Sequence, residues 1–300
     1  MKQRTRTVRS HAVEVALGDA LEWDIQRWVA WSGSEARIAE APWLEGPIGN
    51  KYIGAEFYEG YAREVGLDAV TDDDDTGLLP SFDAPAGEGF DPSLVRPGIR
   101  DFYERTARYD LCAQIGWSGP FKHPPRTLLY LVGRNVGQFD IPLSTPAVAM
   151  KNELICLKDP LTSEKPYAGW LRRSAATGEA ILAGLYTTCG LPATGGRFFK
   201  SVYPLPGGSA TTIFRPENRP DGSFVLVSDG RRFGEAGYYR IHRTEGGVLR
   251  VKRLPMEETI HVFVNSEDAL RARHAFAFWR ARFLTLHYEI TPHEPRASAG

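Results

Sequence analysis

The chain has 300 residues, enough for one large domain or two small ones. It is 42% hydrophobic and 24% charged, with a formal net charge of -1, the profile of a globular protein and not of a dedicated nucleic-acid binder. Three cysteines, Cys112, Cys156 and Cys189, stand far apart with no C-x-x-C pair, which excludes a disulfide framework and a zinc ribbon.

In chain order, residues 1–10 read as a basic tail with no apolar run behind it. No signal peptide and no membrane-spanning stretch is indicated, and the expected location is the cytoplasm. A helical and irregular segment is expected over 11–106. Its helices are read at 12–31, where Leu17, Leu21, Trp28 and Trp31 share a face, at 53–65, and at 98–106 behind Pro97. Asp72, Asp73, Asp74 and Asp75 lack the spacing of a calcium loop and read as a solvated acidic turn. A strand at 108–117, a buried helix at 126–135 and an extended stretch at 141–146 follow.

From 151 the texture changes. β-branched and aromatic runs alternate with turn dipeptides such as Asp221-Gly222 and Gly246-Gly247. Strands are expected at 151–158, 167–174, 179–188, 197–204, 209–215, 223–229, 237–243, 248–254, 257–264, 270–278 and 282–290. Short connections give a meander, and so many strands in succession curl or close to remove exposed edges. The fold class is therefore α+β: a helical N-terminal segment on a large curved antiparallel sheet over 107–290, closing as a lipocalin-like barrel, with a tail at 291–300.

Three histidines, His261, His274 and His287, recur every 13 residues on the last three strands. With Val264 opposite Arg271, and the next turn at Arg280-Ala281, the three stand side by side on one face. Glu257, Thr259, Phe263, Phe276, Phe278, Phe283, Thr285 and Glu289 join them on that face. It reads as the interior, since Ala272, His274 and Phe276 alternate with Arg271 and Arg273. In this reading His274 is the acid–base residue, with His261, His287, Glu257 and Glu289 as partners and the aromatic and threonine side chains as ligand-binding walls. The competing readings are interior histidines that only satisfy one another, and a three-histidine metal site, for which a straight row converges poorly. Arg172 and Arg173 alternate in a strand, so only one of them can face a pocket.

The stretches FYERTARYDL, GWLRR, PLPGG, ETIHVFV and FWRARFLTLHY are similar to the soluble C-terminal region of bacterial YndJ-like proteins, over most of 100–290. That resemblance implies no catalytic residues, because the family has no established activity. YndJ-type chains carry membrane helices before this region, whereas this chain has a segment that reads as soluble helices. The expected function is enclosure of an apolar small molecule or lipid-like intermediate. If the chain is an enzyme, a cofactor-free isomerase, cyclase or hydratase is expected. A metal-dependent enzyme and a non-catalytic interaction module are the alternatives. No cofactor and no nucleic-acid partner is expected.

Overall fold

The computed structural model describes residues 22–49, 56–71, 75–118 and 147–293, apart from Glu88, Ala193 and Glu245. The expected helix at 126–135, the extended stretch at 141–146 and most of the acidic turn lie outside the described residues. Residues 22–32 are helical (α1); α2 is Phe57–Val65 and α3 is Pro97–Glu104. Two short strands, β1 (Ser34–Ala36) and β2 (Asp68–Thr71), come from the segment read as helical and join the sheet. The long strands are β3 (Tyr109–Trp117), β4 (Ala147–Lys158), β5 (Tyr167–Ser174), β6 (Ala180–Leu191), β7 (Thr194–Leu205), β8 (Gly208–Asn218), β9 (Phe224–Val227), β10 (Gly237–Arg243), β11 (Leu249–Leu254), β12 (Met256–Val264), β13 (Leu270–Phe278) and β14 (Ala281–Pro292).

Every pairing between these strands is antiparallel. The sheet runs β8-β7-β6-β5-β4-β3-β14-β13-β12-β9, and β9 pairs back onto β8. These ten strands form a closed barrel. The seam is made by β8 dividing its length: Gly208–Ile213 pairs with β10, while Arg215–Asn218 pairs with β9. β10, β11 and β1 therefore leave the barrel as a flange.

Alternation along each strand separates two apolar sets. The inward set includes Leu111, Met150, Trp170, Ile181, Phe199, Phe214, Leu226, Val262, Leu286 and Ile290. The outward set on β4–β6, Ile155, Leu157, Leu171, Ala183 and Leu185, packs under α2 through Tyr58 and Ala62. Gly169 permits this contact, since a Cβ there would stand 2.6 Å from the Tyr58 ring. The Tyr58 hydroxyl then donates to the Gly184 carbonyl at 3.1 Å. One barrel end is filled by α3 and the turns before it, where Phe82, Tyr103, Phe199 and Phe224 interlock edge to face or tilted. The Asn218 side chain binds the Asp91 backbone in that cap, and Arg96 N–H donates to the Gly222 carbonyl. On the flange, α1 docks through a buried ion pair between Glu22 and Arg240.

Candidate functional site

The barrel lumen holds a cavity in which the space open to the centre of a water-sized sphere is about 110 Å³. That is room for roughly eight waters or one small organic molecule. Its walls are aliphatic and aromatic, and a belt of polar side chains crosses them. Around the barrel the belt runs Tyr288 on β14, Arg172 on β5, Tyr186 on β6, Tyr203 on β7, Glu258 on β12 and His274 on β13. Glu258, Arg172 and Tyr203 all lie near the strand ends opposite the α3 cap.

Glu258 is 3% exposed. One carboxylate oxygen accepts from the Thr212 hydroxyl at 2.8 Å, and the other faces His274 Nε2 at 2.9 Å. Its backbone is fixed at the seam, where Glu258 N–H donates to Ser228 Oγ and Ser228 N–H donates to the Glu258 carbonyl. His274 is diagonal to Glu258 across β12 and β13 and lies 4.0 Å, ring to ring, from Phe276. A carboxylate holding an imidazole by one nitrogen fixes the ring's orientation and can support proton transfer at the other.

Arg172 is 9% exposed, with its guanidinium carbon 3.7 Å from the Trp170 ring centroid. It donates to the Tyr288 hydroxyl at 3.3 Å and to the Tyr186 hydroxyl at 3.5 Å. The Tyr186 and Tyr203 hydroxyls stand 3.0 Å apart. Burial pushes the Tyr103, Tyr203 and Tyr288 phenols above their ordinary pKa, so they remain neutral hydroxyls at physiological pH.

The histidine row does not form. His261 pairs with Arg273, and His274 pairs with Ile260 on one side and Leu286 on the other. His274 faces the lumen; His261 and His287 flank Arg273 on the outer face. Both registers are one residue away from the expected ones, for identifiable reasons. In the first turn, Asn265 accepts from the backbone N–H of Glu267 and Ala269, and Asp268 adopts φ 59°, which pairs Val264 with Leu270. In the second, Trp279 and Arg280 both take positive φ, 47° and 66°, as a two-residue hairpin turn requires. A bulge between Phe276 and Ala277 then shifts the ladder again.

A one-residue slip exchanges the two faces of a strand. Of the expected site residues, His274 and Phe276 line the cavity. Glu257 and Thr259 point away from it, Glu289 lies exposed beside Arg271, and Thr285 is buried behind the wall. Phe263 stacks on His261 outside, Phe278 meets Trp279 at the turn, and Phe283 is the extra residue of the bulge. The metal alternative loses its geometry, since its three ligands divide between the two faces. Among the described residues no other cluster of three metal-ligating side chains occurs. Of the paired arginines, Arg172 faces inward, and Arg173 faces outward to Glu153 at 3.1 Å. Sequence reasoning passed over Glu258, Tyr186, Tyr203 and Tyr288. Period-two alternation from Arg172 would not have reached them without the barrel order.

The chain is 29% identical over 284 residues, 94% of its length, to the protein named "Uncharacterized membrane protein YndJ" from Bacillus subtilis (strain 168). The aligned part is 48% of that relative, so the chain spans about half its length. No family model matches, and no solved structure matches. Among the described residues no helix is long and apolar enough to cross a membrane. The similarity to this YndJ protein runs along nearly the whole of the chain.

Proposed function

We propose that the barrel encloses one small, mainly apolar molecule and fixes its polar part on the belt of Glu258, His274 and the tyrosines. The observation that carries this reading is a cavity walled by apolar side chains and crossed by polar groups converging from six strands. A few oriented polar groups in an apolar hollow are the usual composition of a small-molecule site. The test is titration with N-phenyl-1-naphthylamine, a neutral apolar fluorophore. Saturable one-to-one binding with enhanced emission is expected, and the absence of saturable binding would overturn the reading.

A catalytic role is a second reading, favoured by the 2.9 Å contact between His274 and Glu258. In it His274 exchanges a proton with the enclosed molecule while Glu258 orients the ring, as a cofactor-free isomerisation, cyclisation or hydration requires. Conversion of a component of a metabolite extract, followed by chromatography, is expected to stop in His274→Ala. Conversion that survives this substitution would remove His274 from the mechanism. Action in the cytoplasm belongs to the same proposal. The relative's name makes attachment to a membrane the competing setting, and fractionation of the native host separates the two.

A further inference from the structure

Arg172 is a buried cation among neutral groups. Its two hydrogen bonds, to Tyr288 and Tyr186, are long, and its Nε is buried with no hydrogen-bond partner. Among the described residues no carboxylate forms an ion pair with it. The lumen's own carboxylate, Glu258, is already engaged by Thr212 and His274. Arginine does not lose its proton in proteins, so this charge persists. Desolvating a charge without a counter-ion is costly, and buried charges are ordinarily paired.

The guanidinium is nevertheless held firmly. It lies over the Trp170 ring, and the Tyr288 ring centroid is 5.8 Å away. Stacking of this kind fixes the plane of the fork while leaving its edge open to a partner. A planar fork of N–H donors matches two oxygens of an anionic group bidentately. The Tyr186 and Tyr288 hydroxyls stand beside it and add donors.

We propose that Arg172, stacked on Trp170 and flanked by Tyr186 and Tyr288, anchors the carboxylate of a monoanionic amphiphile whose apolar tail lies along the lumen wall. This rests on the barrel being a ligand site and names the ligand's class. Ile181, Phe199, Phe214 and Leu286 offer the apolar surface for the tail. A single guanidinium neutralises one negative charge, which favours a carboxylate over a phosphate monoester.

Calorimetric titration of the full chain with octanoate, octyl phosphate and 1-octanol tests the assignment. Octanoate is expected to bind at least about ten-fold more tightly than octanol. Arg172→Met is expected to erase that difference while octanol still binds, and Arg172→Lys to retain part of it. Equal binding of octanoate and octanol by the wild type would overturn the anion site and leave the lumen reading standing. So would a preference that persists in Arg172→Met. Tighter binding of octyl phosphate than of octanoate would overturn the carboxylate assignment. Binding of none of the three would overturn this proposal and the lumen reading together. Should Arg172→Met not fold, the wild-type comparison and Arg172→Lys still decide the question.

Discussion

Two buried arginines carry their charge in opposite ways. Arg240, 7% exposed on β10, meets Glu22 of α1, and Gln26 bridges from Glu22 toward His242. Arg172, 9% exposed on β5, meets an indole face and two phenols. The first arrangement neutralises its own charge and ties a helix to the flange. The second holds the cation in place yet supplies no counter-charge, and it faces a hollow. One buried charge acts as a structural clasp, whereas the other is placed where a ligand can complete it.

The comparison is broken most directly by removing the counter-charge from the clasp. Glu22→Ala leaves Arg240 buried and unpaired, and is expected to destabilise the fold by about 3–5 kcal/mol in urea unfolding. A loss under about 1 kcal/mol would show that α1 contributes little through this pair. Glu258→Ala comes next. It strips partners from Thr212 and His274, and the expected cost is about 1–3 kcal/mol in the same measurement.

Acidification has a smaller effect with a defined sign. Burial holds the His242 and His261 pKa values below the ordinary imidazole value. The unfolded chain therefore binds more protons than the folded one as pH drops below roughly 6.5, so these groups reduce stability on acidification. The melting temperature is expected to fall between pH 7 and pH 5.5, and by less in His261→Gln. An unchanged profile in that variant would remove His261 from the effect. Arg172→Met should cost the fold little, within about 1 kcal/mol, because it deletes an unpaired buried charge. His287→Ala, on the exposed outer face, should change stability by less than about 0.5 kcal/mol and leave ligand binding intact. A strong loss of stability in Arg172→Met would make that arginine a structural clasp like Arg240.

The strands were readable from alternation and turn dipeptides: β5, β10 and β13 have the limits that the sequence suggests. The closed antiparallel barrel follows from the same pattern, because a long meander removes its edges by closing. The site was less readable, since its residues depend on register. Trp279 and Arg280 adopt a turn conformation that usually signals itself through Asn-Gly or Gly-Gly, and neither is present here. A bulge at Phe276/Ala277 has no sequence signature. His274 and Phe276 were placed correctly because β13 itself alternates clearly, with Arg271 and Arg273 facing out. On β12 and β14 the apolar side is the one with Ile260, Val262, Leu286 and Ile290, opposite the side that the turn registers select, so one slipped residue exchanged Glu258 for Glu257 and Tyr288 for His287. The belt of Tyr186, Tyr203 and Tyr288 needs the barrel order itself, since β14 and β6 are distant in sequence and meet only across the lumen.

The central claim is that the lumen is a ligand site whose anionic anchor is Arg172. Crystals grown with 8-bromooctanoate test it in one measurement. The account predicts an anomalous bromine peak inside the barrel among Phe199, Phe214 and Leu286, with the carboxylate within hydrogen-bonding distance of the Arg172 guanidinium. Bromine bound only on the outer surface, or a carboxylate seated away from Arg172, would contradict it.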